Sequence, residues 1–428
     1  MSWSRRELLW SGGLLGALGC GRGPDPVVVG PARNVVVVMV DGGWDPTFAL
    51  DPKLGIAGVV GPTAESPQST DDREDTGRWG PLEIAVNPAR RPAVTTFFDR
   101  WAPRTTVVRG LWVGSVSHWI GRRRILTGRD DRQATDWITQ VGAERRDDRP
   151  LGIVDLSGHA RFGDASATSL RAGRRGQLGQ LLLPHRRMAM GDGSSRPSLL
   201  RQPGDDPAID EWLSTQARQD PRRDLGRSWL QALDGRTEAR TRAASLLAEV
   251  PNWSPSLSGT QGALGGQIDL AIALLQHRIA RTILVDSGHS WDTHADHGRQ
   301  HGWHQSLFSS IGQLVSGLHA QGLLDETLVV VLSEMGRTGW RNQEDGTEHW
   351  PYTSALLVGA DIEGPHLIGA TDDELVGRPV DVERGLLDPN GAPLRYDQFV
   401  AGIIAMAGVD PAWILPDVVP LRGLTGPS

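Results

Sequence analysis

A recurrent apolar run constrains this chain more than any other feature. NVVVVMVD, residues 34–41, is continuously apolar and largely β-branched, and it ends in an aspartate. A strand with one wet face alternates apolar and polar residues. A run without alternation belongs to a strand covered on both faces, as in a parallel sheet packed between helices. TTVVRGLW (105–112), RTILVD (281–286), TLVVVLSE (327–334) and SALLVGA (354–360) repeat the pattern. Apolar residues three to four apart predict helices over 264–280 and 303–321, so helix, strand, helix and strand follow one another from 264 to 332. The expected fold is α/β, with a mostly parallel central sheet flanked by helices.

Other segments lack this order. Residues 62–81 read as a polar loop, and 160–225 mix Arg, Gly, Ser and Pro without period before a helix-like stretch at 223–249. We read 129–260 as a largely irregular or helical insertion in one α/β domain spanning 33–428. The sequence YDQFVAGIIAMAGVDPAWILP near the end predicts a helix stopped by Gly408.

The N-terminus has a different character. An Arg5–Arg6 pair precedes a short Leu/Gly/Ala run ending at Cys20, the chain's one cysteine. The run is too short to span a bilayer and fits a signal peptide over 1–20. SRRELL resembles a twin-arginine export signal, and ALGC resembles a lipoprotein cleavage box with Cys20 as the lipidated residue. Residues 21–32 read as a Pro/Gly tether. The expectation is an exported protein of the periplasm or outer membrane and cell surface, touching membrane only through an N-terminal lipid. A net charge of −7, with no zinc-finger spacing and no basic arm, argues against a nucleic-acid partner. The 16 tryptophans exceed Tyr and Phe together and suit either packing or stacking on sugar rings.

In an open α/β sheet, ligands bind at the carboxyl ends of the strands. Those ends carry chemistry here. Asp41 closes the first run, Asp286 leads into DSGHSWDTHADHGRQHGWH (286–304), Glu334 follows Ser333, and Glu348 and His349 come a short loop later. Mixed Asp/Glu/His sets suit zinc, manganese or similar divalent ions. Asp292 and His294 share a face if WDTH is extended. His297, His301 and His304, spaced four and three apart, lie on one side of a helical turn, as a second ligand set or as the solvated start of helix 303–321. After the second strand, Ser115, Ser117 and His118 are candidates for the nucleophile, against the simpler readings of an N-cap serine and a solvated basic helix face. Arg122 to Arg124 are available for an anionic oxygen.

Together GGWDPTFALDPK, SHWIGRRRILTG, WDTHADH, SEMGRT, GTEHWPYTSALLVG and YDQFVAGIIAMAGVDP resemble the domain-of-unknown-function 1501 family, of the alkaline-phosphatase and sulfatase-like fold. They occur in the family's order and cover about residues 33–415. The resemblance implies a divalent metal centre (zinc, manganese or calcium) at the carboxyl edge of the sheet. Asp41 falls at the first metal-binding aspartate, Asp292 and His294 at the central pair, and His349 at the late histidine. Glu334 stands where phosphatases carry Asp-His, which puts a second metal in doubt. The LTG segment resembles the nucleophile region of sulfatases, but the Cys or Ser followed by Pro-Ser-Arg expected there is missing, which argues against a modified-cysteine nucleophile.

The expected function is hydrolysis of a phosphate or sulfate ester, or a similar anionic group, on a small-molecule, glycan or lipid-linked substrate. Expected metal ligands are Asp41, Asp292, His294, His297, Glu334 and His349. Ser117, His118, Glu334 and Arg337 are the expected catalytic residues, with Arg337 as oxyanion partner. The alternative is a non-catalytic envelope scaffold that keeps the fold.

Overall fold

The computed structural model describes residues 34–64, 69, 71–144, 149–163, 169–171, 206–219, 229–230, 233–234 and 264–426. The expected signal segment 1–20, the tether 21–32 and most of the helix-like stretch 223–249 lie outside the described residues.

The central sheet has eight strands, labelled here in chain order. They are β1 (Asn34–Val40), β2 (Thr105–Trp112), β3 (Leu151–Asp155), β4 (Ser169–Arg171), β5 (Ala280–Asp286), β6 (Thr327–Ser333), β7 (Tyr352–Gly359) and β8 (His366–Ile368). Their spatial order is β8-β2-β7-β6-β1-β5-β3-β4. β1 pairs parallel with both β5 and β6, whereas β7 runs antiparallel to β6 and to β2. β7 thus enters the sheet at the edge where the other strands leave it.

The helices are α1 (Pro92–Trp101), α2 (His118–Thr127), α3 (Trp137–Glu144), α4 (Asp206–Gln219), α5 (Leu264–Gln276), α6 (Arg299–Ala320), α7 (Tyr396–Met406) and α8 (Pro411–Ile414). β1 shows why its run could not alternate. Val36, Val38 and Val40 pack with Phe97, Ile268 and Leu307 of α1, α5 and α6. Val35, Val37 and Met39 pack with Ile125, Ile138 and Phe399 of α2, α3 and α7 on the other face. Side chains of a strand point to opposite faces in turn, so both faces must be apolar when both are covered. No helix among the described residues is long and apolar enough to cross a membrane.

Three expectations change. The span 129–260 begins not as an insertion but with α3 and the sheet strands β3 and β4, β3 pairing parallel with β5. The polar segment 62–81 ends inside a hairpin in which Asp75–Trp79 pairs with Leu82–Val86. Helix α6 also starts four residues earlier than its apolar period suggests, at Arg299.

Candidate metal centre

His118 is the first residue of α2, Asp292 lies in the loop after β5, and His349 lies in the short strand before β7. The fold brings them to the same edge of the sheet, with one ligand atom from each lying within 4.8 Å of the others. His118 Nε2 is 3.3 Å from Asp292 Oδ2, and His349 Nε2 is 3.0 Å from Asp292 Oδ1. His294 completes the edge, its Nε2 3.1 Å from Asp292 Oδ1 and 3.1 Å from His349 Nε2.

Each of these three imidazoles is anchored through its other nitrogen. His118 Nδ1 donates to Glu334 Oε1 at 2.8 Å, His349 Nδ1 donates to the Val116 carbonyl at 2.7 Å, and His294 Nδ1 lies 3.0 Å from Glu348 Oε2. A ring whose Nδ1–H is held by an acceptor presents a lone pair at Nε2. In that tautomer, three lone pairs and a carboxylate face one another, a set that a bound cation would complete. Metal-binding histidines have this arrangement, one nitrogen on the ion and the other on a carboxylate or carbonyl. His118 Nε2 is moreover buried without a hydrogen-bond partner. These residues fit a divalent ion.

The hydrogen bond to Glu334 is the main influence raising the His118 pKa, with Asp292 adding to it and burial opposing. Burial works against charge on Asp292, yet the hydrogen bond from Arg337 and the neighbouring His349 hold its carboxyl well below the usual range. The hydrogen bond from Asn342 is the largest influence lowering Glu348.

Several expected ligands stand elsewhere. Asp41 is outside the group of three. Both its oxygens are taken by Arg122, whose Nε and Nη2 donate at 2.8 and 2.7 Å. Burial is the first cause of its raised pKa and the nearby Glu334 the second. His297 is wholly buried, its Nε2 2.8 Å from Asp45 Oδ2 and its Nδ1 3.0 Å from the hydroxyls of Thr293 and Thr347. It holds loops together and does not face the centre. His301 and His304 are not a solvated first turn either. Both are buried in α6, their rings against Phe48. Glu334 is buried and accepts from Gly42 N at 2.8 Å as well as from His118, so it stands behind a ligand.

The expected catalytic groups also change places. Arg337 is fully buried and donates to Gly43 O, Thr347 O, Trp291 O and Asp292 Oδ1 at 2.8, 3.1, 3.0 and 2.7 Å, and to Gly42 O. A guanidinium so occupied cannot receive a substrate oxyanion. Ser117 is exposed and precedes α2 without a side-chain capping bond, while Ser115 Oγ is 3.1 Å from Ser117 N. His118, expected as a catalytic candidate beside the nucleophile, instead faces Asp292. Sequence reasoning placed Glu348 beside His349 without giving it a role, and it named Arg122 for an anionic oxygen without seeing it as the partner of Asp41.

Residues 198–385 match the family model described as Protein of unknown function (DUF1501). The matched span holds Asp292, His294, Glu334, Arg337 and His349. No curated protein sequence matches the chain. Among solved structures, a protein in the alkaline phosphatase superfamily from Vibrio parahaemolyticus shares 9% identity over 90% of this chain and 68% of its own, with a TM-score of 0.40. A phosphonate monoester hydrolase from Silicibacter pomeroyi shares 13% over 92% and 78%, with a TM-score of 0.35. Alkaline phosphatase from the Antarctic bacterium TAB5 shares 11% over 77% and 92%, with a TM-score of 0.34.

Proposed function

We propose that the chain is an exported, metal-dependent hydrolase of phosphate or sulfate esters, or of a similar anionic group on a small molecule, glycan or lipid-linked substrate. The observation that carries this reading is the convergence of three Nδ1-anchored imidazoles on the partly exposed carboxylate of Asp292. His118, Asp292 and His349 would hold the ion, with His294 beside them as a further donor. When bound there, a divalent ion supplies Lewis-acid polarisation of an ester oxygen and acidifies water near neutral pH. Three imidazole nitrogens and one carboxylate suit zinc or manganese. Calcium prefers oxygen ligands throughout, which removes it from the expected set.

The chain's own residues do the remaining work. Arg122 lies one helical turn after His118 on α2, so the two share a face. Its side chain is 28% exposed and held at a fixed angle by Asp41, so it is the cation placed for an anionic oxygen of the substrate. His294 and Glu348 form a partly exposed imidazole–carboxylate pair at the rim, suited to carry a proton between the site and solvent. The Arg5–Arg6 and Cys20 signals support export and a lipid anchor.

A second reading, a non-catalytic binding lipoprotein, is favoured by the serines, since Ser115 is tied to the backbone of Ser117 rather than to the cluster. Turnover separates the two. Protein stripped with a chelator and reloaded with zinc or manganese is assayed on aryl phosphates, phosphonates and sulfates. The hydrolase reading expects turnover that is lost on stripping, restored on reloading and absent in Asp292→Ala. Fully loaded protein inert across the panel supports the binding reading instead.

A further inference from the structure

We infer that the segment Glu334–Arg337 is the positioning template of the centre, with Glu334 aiming a ligand rather than being one. This rests on the metal reading above and goes beyond it by assigning what sets the geometry. The segment leaves β6 at the functional edge and reaches three of the four cluster residues by three different means. Glu334 Oε1 receives His118 Nδ1–H at 2.8 Å, which fixes that ring's tautomer and turns Nε2 toward Asp292. Arg337 Nη2 donates to Asp292 Oδ1 at 2.7 Å, and that oxygen also lies 3.0 and 3.1 Å from Nε2 of His349 and His294, leaving Oδ2 toward His118. The backbone pairs with the strand of His349, in the register His349 with Arg337 and Trp350 with Gly336.

The template has little freedom to shift. A Cβ on Gly121 of α2 would come within 2.6 Å of the Glu334 carbonyl, and one on Gly336 within 2.3 Å of the Tyr352 carbonyl. The backbone is therefore pressed between α2 and the start of β7. Arg337 adds bonds to carbonyls of the turn after β1, of the loop after β5 and of Thr347, so a single buried side chain joins three of the loops that border the site. A buried carboxylate is costly without hydrogen bonds. Glu334 meets that cost with the Gly42 amide and with the ring it positions.

The test uses cobalt(II) as the probe, because its visible spectrum reports coordination geometry. It also uses the His118 Nδ1–H signal in NMR of the metal-free protein. Glu334→Ala should weaken cobalt binding about 10–100-fold, the range found when the outer partner of a ligand is lost, and should change the spectrum. Glu334→Gln keeps an oxygen that can accept both bonds, so it should retain the wild-type spectrum. Arg337→Lys, which keeps the charge and loses the fork, should weaken binding as Glu334→Ala does. Wild-type affinity and spectrum in Glu334→Ala overturn the inference, as does a Glu334→Gln protein as impaired as the alanine variant. If Glu334→Ala fails to fold, Glu334→Gln decides: a lost spectrum overturns the inference and a retained one supports it. Should wild-type protein bind no cobalt, the metal reading fails by itself. The positioning role then stands if the Nδ1–H signal is present in wild type and lost in Glu334→Ala, and falls if the signal is the same in both.

Discussion

The stretch 286–304 divides into two halves that use the same residue type for opposite ends. In the first half, Asp292 and His294 have side chains 34% and 39% exposed and meet His349 at the carboxyl edge of the sheet. In the second, His297, His301 and His304 are buried, paired with Asp45, set beside Arg91, and stacked on Phe48 respectively. The divide falls where the loop turns into α6. An extended loop at the strand end presents its side chains outward to a shared crevice, whereas the turn into α6 and the helix itself point the next three histidines inward against the 44–48 turn. What a histidine does here is decided by which element carries it, not by how many lie nearby.

The largest effects should separate the halves. Asp292→Ala removes the carboxylate on which three rings converge, so ion affinity should fall by more than the roughly 10–100-fold that loss of an outer partner costs. Titration calorimetry with zinc checks this, and unchanged affinity would break the comparison. His297→Ala should leave ion binding intact and strip Asp45 of its buried partner, at a cost of about 3–5 kcal/mol in denaturant unfolding. A loss of ion binding without loss of stability would reverse the two roles.

Acid should act on the second half next. Burial is the first cause that lowers His304 to about 3 and His301 to about 2, the Arg91 cation adding to both. A histidine whose folded pKa lies below its unfolded value takes up protons more readily when unfolded. Its contribution is therefore complete above about pH 6.5 and is lost progressively as pH falls toward the folded pKa. Each group adds a slope of up to about 1.4 kcal/mol per pH unit over that window. His304→Gln, measured metal-free by urea unfolding between pH 4 and 7, should show a shallower slope than wild type. An equal slope would mean that the ring is not titrating with unfolding. The smallest effect is expected at Arg299, whose bond to Asp296 is well exposed. Arg299→Ala should change stability by less than about 0.5 kcal/mol and leave ion content alone.

The sheet was readable in the chain because β1, β2, β5, β6 and β7 are buried on both faces and so could not disguise their runs. LGIVD of β3 escaped notice because it is short and flanked by arginine-rich sequence, and its identity as a strand depends on pairing with β5, 125 or more residues away. At the site, Asp292, His294 and His349 stood out by position at strand ends. The exchange of partners was not legible. Nothing local tells that Arg122 takes Asp41, that Glu334 stands behind His118, or that Arg337 is sealed beneath Asp292, because each contact joins segments at least 45 residues apart. The four-and-three spacing of His297, His301 and His304 suggested a shared side, and His301 and His304 do share one on α6. Only packing decides whether that side faces water or Phe48.

Zinc content measured side by side for wild type, His349→Ala and His297→Ala, after dialysis against zinc and removal of excess, tests the division most directly. One ion per chain in wild type and in His297→Ala, with none in His349→Ala, is the predicted result. An ion retained by His349→Ala but lost from His297→Ala, or no ion in wild type, would contradict it.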